Sequence, residues 1–405
     1  MSRSVLPKTT LSLVILLLGC GQGERAEAPP LEDLEARARA IHDSVITIDT
    51  HDDIGYDFAT PAVDPLNADR QVNLEKMRAG GLDAGFFIVF VGQTDRTPTN
   101  YRAAQEAAMT KFEAIHRMAE EMYPDEIEIA YSADDIERIA ANGKLVAVIG
   151  IENGYVIGRD LSLLETYHAL GARYITLAHG GHNDISDSAT PREDLGDGDT
   201  EHDGVSPFGA EVIAEMNRLG IMVDVSHVSK QAMLDATALS AAPVIASHSS
   251  VAAIRDHPRN LDDEQLMALK ENGGVVQTVA FQSYVNPEKN QAHRDALNKL
   301  EKSVAEEMGF ELMGGRARFG LSDSDREAYD IAVRPVQEAI DARVDAEVNS
   351  IASPVDVSDL ADHIDYLVNL IGLEHVGISS DFDGGGGIVG WNDASETFNV
   401  TLELV

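Results

Sequence analysis

Eight short runs of apolar or β-branched residues recur along the chain, at 45–53, 83–92, 145–154, 173–180, 221–228, 243–250, 274–281 and 375–384. In most of them the apolar residues follow one another without polar alternation, as in DAGFFIVFVG (83–92) and LVAVIGIENG (145–154). A strand written that way has to be covered on both faces, which is the condition of a parallel sheet with helices packed against it. Helical patterns lie between most of the runs, for example Leu163-Leu164-Tyr167 and Val212-Ile213-Met216, and they stop at Gly80-Gly81, Gly171, Gly220, Gly273-Gly274 and Gly372. Glycine there supplies the left-handed turn that a short helix-to-strand loop needs. Eight such units predict an α/β fold, a (β/α)8 TIM barrel spanning residues 31–405, with a doubly wound open sheet as the alternative. Residues 285–353 break the alternation. They are rich in Glu, Asp, Ala, Arg and Lys in a helical pattern, and predict an inserted helical lobe ahead of the last strand. A solvated decoration is the simplest reading of that lobe, a lid or interface the other.

Charge and cysteine content narrow the function. Against 69 acidic side chains stand 31 basic ones, a formal charge of −38, with no basic cluster to offset it, so nucleic acid is not an expected partner. One cysteine excludes an intrachain disulfide framework and a cysteine-based zinc cage. That cysteine, Cys20, closes the segment Leu17-Leu18-Gly19-Cys20 behind Arg3, Lys8 and an apolar run from Leu11 to Leu18 too short to span a bilayer. The segment resembles a bacterial lipobox, which implies a signal peptide at 1–19, lipidation of Cys20 and a flexible tether to residue 30. A plain secretory signal with an incidental cysteine is the alternative. The expected location is the bacterial cell envelope, with the protein lipid-anchored to the membrane and facing the periplasm or exterior. At the other end the chain stops at Leu402-Glu403-Leu404-Val405 inside an amphipathic pattern, which suggests a truncated final helix.

The chemistry lies at the ends of the runs. Run one ends in His51-Asp52-Asp53, run three in Glu152-Asn153, run four in His179, run five in His227, run six in His248 and run eight in Asp381-Phe382-Asp383. In a barrel all of these reach the C-terminal rim, where active sites of this fold are built. Histidines and carboxylates without cysteine make a nitrogen and oxygen donor set suited to zinc, with manganese or cobalt as alternatives. His51 and Asp53 share a strand face and are able to chelate one ion. His227 and His248, about one βα unit apart, are placed to share a second, and Glu152 to bridge the two. Two metals about 3.5–4 Å apart hold a nucleophilic hydroxide between them. Local salt bridging or helix capping is the other role open to Glu152.

The set DTHDD, GIENG, RYITLAHGGHN, VDVSHVS, PVIASHS, HPRN and GISSDFDG, in this order from about residue 40 onward, resembles the membrane dipeptidase (renal dipeptidase) family, peptidase family M19. The resemblance implies a (β/α)8 barrel with two Zn2+ per chain, one held by His51, Asp53 and Glu152 and the other by Glu152, His227 and His248. It implies that His179 contacts the substrate and its tetrahedral intermediate, that Arg259 holds the substrate carboxylate, and that Asp381 transfers protons, with Asp383, two residues on and facing the same side if the strand persists, the contender. The implied activity is hydrolysis of dipeptides bearing a free C-terminal carboxylate, through a metal-bridging hydroxide. A homodimer is left open, and His182 is read as a surface residue or one behind the site. Two other classes fit the rim residues: another binuclear barrel hydrolase of deaminase or lactonase/phosphotriesterase type, and a non-catalytic metal- or peptide-binding surface lipoprotein. The first usually begins with HxH where this chain has HxD, and the second has no need of a proton-transfer acid.

Overall fold

Runs without polar alternation become strands with no exposed face. In a computed structural model, which describes residues 31–314 and 321–405, all eight residues of the strand Leu145–Glu152 are buried. The leader, Cys20 and the tether lie outside the described residues. The strands are β1 (Ile48–Asp53), β2 (Ala84–Phe90), β3 (Ile127–Ile129), β4 (Leu145–Glu152), β5 (Ala172–Thr176), β6 (Met222–Asp224), β7 (Ile245–Ser249), β8 (Val275–Val279) and β9 (Val376–Ser379). Eight of them pair in parallel in the order β1-β2-β4-β5-β6-β7-β8-β9. The ring is brought nearly to closure between its first and last members. Asp52 bridges to Phe382, and the Asp53 amide donates to the Phe382 carbonyl at 2.9 Å. The architecture is therefore the expected TIM-like barrel rather than an open sheet.

β3 corresponds to none of the eight runs. Its three residues pair with Leu145–Ala147 at the start of β4, below the stretch where β5 joins, and three residues are too few to display a period. The region after β8 is helical, with helices at Gln282–Val285, Pro287–Met308 and Asp323–Val344. It has a small core of its own around Leu300, Val304, Val336, Ile340 and Val348, distinct from that of the barrel. Lys289 ties its root to the next barrel helix through Asp356 and Asp359 at 2.9 and 2.5 Å. No helix among the described residues is long and apolar enough to cross a membrane.

At one point the barrel interior is filled to contact. Gly150 in β4 lies against the ring of Tyr174 in β5, and a Cβ at residue 150 would fall 2.4 Å from the Tyr174 Cζ. That ring cannot retreat freely, because its hydroxyl donates to the Thr50 carbonyl at 3.0 Å and meets His51 Nδ1 at 3.0 Å. Gly150→Ala should therefore lower stability by about 1–3 kcal/mol, the usual range for overpacking a filled core. Urea unfolding checks this, and an unchanged midpoint would contradict the packing described.

Candidate active site

A cavity of ≈ 650 Å³ opens at the C-terminal ends of the strands, large enough for a small ligand. Its lining includes Asp53, Glu152, His179, His227, Arg259 and Asp381. At its floor the Glu152 Oε1 faces four imidazoles: His227 Nε2 at 3.0 Å, His248 Nε2 at 3.3 Å, His51 Nε2 at 3.7 Å and His179 Nε2 at 3.8 Å. Asp53 Oδ2 stands 3.5 Å from the same His51 nitrogen. Burial alone would raise the Glu152 pKa, but the surrounding imidazoles override it and hold the carboxylate well below its usual range.

Neighbours behind the site decide which nitrogen each ring presents. The Tyr174 hydroxyl spends its proton on Thr50, so it accepts from His51 Nδ1 and leaves Nε2 toward the cavity. That buried Nε2 has no hydrogen-bond partner. Ser247 repeats the device, its hydroxyl donating to Asp224 at 2.7 Å while His248 Nδ1 lies 2.8 Å from the same oxygen. His248 Nε2 is then left 2.7 Å from His227 Nε2, two basic nitrogens converging with one carboxylate oxygen. Converging imidazole nitrogens and an orphaned buried nitrogen beside carboxylates are what a divalent cation satisfies. The donor atoms fall into three overlapping groups: His51, Glu152 and His248; Glu152, His179 and His227; and His51, Asp53 and Asp381.

Three expectations need correction or refinement. First, β9 ends at Ser379, and both Asp381 (φ 58°) and Asp383 (φ 61°) lie in the left-handed region, so the two aspartates do not share a strand face. Asp381 belongs with His51 and Asp53, and burial pushes its pKa well above the usual carboxylate range. Asp383 is committed elsewhere, to Arg70 at 3.2 Å and to the Gln71 and Val72 amides at 3.1 and 3.2 Å. Second, of the two readings of His182, behind the site or on the surface, the structure takes the first. Buried, His182 accepts from the Ser188 amide and donates to the Gly198 carbonyl, both at 3.0 Å, and so pins the loop that follows His179. Third, His227 and His179 lie beyond the ends of β6 and β5, and His227 adopts φ 66° rather than an extended conformation. Asp52, between the two outer donors, faces away from them and is fully buried, its pKa pushed well up by burial and the neighbouring Asp49.

His179 packs against Phe90 and His227, with ring centroids 4.7 and 4.1 Å away, and burial lowers its pKa. Arg259 is 3% exposed and donates to the His248 carbonyl at 3.0 Å, yet its Nε has no partner and it makes no ion pair among the described residues. Sequence reasoning missed Tyr284, whose ring lies 5.5 Å from the Arg259 guanidinium, and Lys111 on the opposite wall. The signal for Lys111 was present. It occupies the buried stripe Ala104, Ala108, Lys111, Ile115 of the helix Pro98–His116, where an apolar residue is the rule.

A profile of the membrane dipeptidase family, peptidase family M19, matches residues 35–405. The chain belongs to this family. Dipeptidase tcpJ of Claviceps purpurea is 35% identical over 60% of this chain and 56% of its own length, and dipeptidase aclJ of Aspergillus oryzae is 32% identical over 83% and 64%. The chain thus spans less than two thirds of these two curated relatives. Among solved structures, the probable dipeptidase PvdM from Pseudomonas aeruginosa is 30% identical, covers 92% of both chains and superposes with a TM-score of 0.74. A metallo peptidase from Rhodobacter sphaeroides, 20% identical over 88% of this chain and 91% of that one, shares the fold with a TM-score of 0.62.

The site's protons yield a test of this M19 chain. Burial alone would lower the His51 pKa, but Glu152 and Asp53 outweigh it and push it up to about 10, whereas burial holds His227 and His248 well below the usual imidazole range. A divalent cation bound among these three rings would meet two neutral nitrogens and would have to displace a proton from the third. Zinc affinity should rise with pH until His51 deprotonates near 10, and binding at neutral pH should release at least one proton per chain. Calorimetric titration of metal-free protein in buffers of different ionisation enthalpy measures the release. A binding enthalpy independent of buffer would overturn the protonation scheme.

Proposed function

We propose that the protein is a metal-dependent dipeptidase that hydrolyses dipeptides carrying a free C-terminal carboxylate. The observation that carries this reading is a cationic clamp beside a metal-ready donor cluster: Arg259, buried and without an ion pair, donates to the very residue, His248, whose ring faces Glu152. Membership of the M19 family supports it, and argues against the deaminase, lactonase and phosphotriesterase types. Zinc is the metal we assign, with His51, Asp53 and Glu152 holding one ion and Glu152, His227 and His248 the other. When bound, the ions supply activation of water and polarisation of the scissile carbonyl at neutral pH.

The chain's own groups do the rest. Arg259 fixes the substrate by its carboxylate, a planar anion that suits a guanidinium fork. His179, held in place by Phe90 and His227, donates a hydrogen bond from Nε2 to the carbonyl oxygen as negative charge grows there. Asp381 takes the proton of the attacking water on a carboxylate oxygen and delivers it to the departing amine. Burial raises its pKa, which favours delivering the proton, and cations bound beside it would favour the carboxylate that accepts it.

The first test is metal content and Ala-Gly hydrolysis measured on one purified sample. Asp381→Asn should keep its metal by elemental analysis while kcat falls by about 10²–10⁴. Asp383→Asn should act on stability instead, by freeing Arg70 and two amides. A larger kcat loss in Asp383→Asn with metal intact would reverse the assignment. The clamp has its own test, in which the wild type should cleave an amidated dipeptide poorly and Arg259→Lys should raise KM strongly for the free acid. Equal rates on amide and acid would sink both the clamp and the dipeptidase reading.

A further inference from the structure

Lys111 is 3% exposed, lines the same cavity and makes no hydrogen bond or ion pair among the described residues. Its ammonium stands 5.1 Å from the centroid of the Tyr56 ring and 5.7 Å from that of Phe90. Those ring faces stabilise a cation but accept none of its three N–H bonds in the way a carboxylate does. A buried ammonium left so is expensive, and a chain with 69 acidic side chains is not short of partners to give it. The neighbouring cation is already spent: Arg70 pairs with Asp383 at 3.2 Å and donates to the Asp53 carbonyl at 2.7 Å. Lys111 is therefore the cation on this wall still open to a ligand.

The ring of strands says which part of a substrate it meets. Lys111 sits beside Phe90 at the end of β2, and Arg259 follows β7; four strand steps separate β2 from β7 in a ring of eight, so the two cations face each other across the mouth. This step rests on the dipeptidase reading. With the C-terminal carboxylate on Arg259 and the scissile carbonyl over Glu152, the N-terminal residue extends toward Lys111. The α-ammonium of that residue repels a lysine, and only an anion on its side chain satisfies both. We infer that Lys111 is a specificity-determining residue that receives the side-chain carboxylate of an N-terminal glutamate or aspartate. Tyr56 and Phe90 flank the ammonium and give the methylenes of such a side chain an apolar wall.

The rival role for Lys111 is a counter-charge to Asp53 and Glu152, which would affect every dipeptide alike. Initial rates of the full chain with zinc added, on Glu-Gly, Gln-Gly and Ala-Gly, separate the two. Glu-Gly should exceed its isostere Gln-Gly in kcat/KM by roughly ten- to a hundredfold, the usual worth of a charge-assisted contact. In Lys111→Met the ratio should fall to about one, and Lys111→Arg should keep a preference for the anion. A wild-type ratio of one, a ratio unchanged in Lys111→Met, or an equal loss on all three substrates would overturn the inference. Ala-Gly reports the reading beneath it: cleavage of Ala-Gly without preference for Glu-Gly removes the Lys111 role alone, whereas no cleavage of any of the three removes both.

Discussion

The Glu152 carboxylate, itself almost wholly buried, lies within 3.0 to 3.8 Å of four imidazoles, and the upper end of the barrel is arranged around that fact. A lone buried carboxylate costs several kcal/mol, so the site exists only because positive or polarisable groups surround it from every side. Delivering it there takes a strand with no exposed face, which β4 is, ending on the glutamate itself. The chain must then leave at once. Asn153 does so at φ 80°, held by its side chain, which donates to the Val91 carbonyl at 3.0 Å and accepts from the Tyr155 amide at 3.2 Å. His227 and Asp381 repeat the pattern of a positive φ at a non-glycine residue just past a strand end. Backbone conformations of that kind persist where surrounding structure over-determines them, and they aim side chains inward that an extended strand would send elsewhere.

Behind the imidazoles runs a second set of polar contacts without which their orientations would be arbitrary. Asp224 is its centre, accepting from the Ser226 and Ser247 amides at 3.0 and 2.9 Å, and from the Ser247 and Thr176 hydroxyls at 2.7 and 2.5 Å. It thereby ties β5, β6 and β7 together where backbone pairing is thinnest, since β6 meets β7 through the single pair Asp224 and Ile245. One buried carboxylate thus replaces missing ladder bonds and, through Ser247, turns the basic nitrogen of His248 toward the cavity.

The division between what was legible in the sequence and what was not follows the range of the interactions. His51, Asp53, Glu152 and His248 lie on strands and His227 just past one, and in a parallel barrel topology alone carries such residues to one rim. Their supports are not local: Tyr174 and His51 meet across 123 positions, and no period or spacing announces that contact. Spacing alone did not separate Asp381 from Asp383, and only the resemblance favoured Asp381; the early end of β9 and the two positive φ values send them to different partners. β3 is too short to announce itself by pattern. Lys111 was legible as an anomaly, a charge in an apolar stripe, though only the position of the cavity gives that anomaly a meaning.

For a chain of formal charge −38 to draw an anionic side chain into its cavity, as the Lys111 proposal requires, the attraction would have to act at short range. At physiological salt the field of surface carboxylates is screened over about 8 Å, so a ligand in open solution feels little of it until it enters the mouth. Inside, screening by mobile ions is weak and the balance is set by the nearest groups. There, Asp53, Glu152, Asp381 and Asp383 stand against Arg70, Lys111 and Arg259, four acids and three bases before any metal is counted. Arg70 is consumed by Asp383 and by the Asp53 backbone, and the carboxylates of Asp53 and Glu152 are turned toward the imidazoles. The two bases of the lining without an ion pair among the described residues, Lys111 and Arg259, stand one at each end of the opening. Divalent ions held by the donor cluster would add positive charge between them. A ligand with an anion at each end and an amide between them would therefore meet a base at each end of the opening, where a neutral ligand would leave both unused.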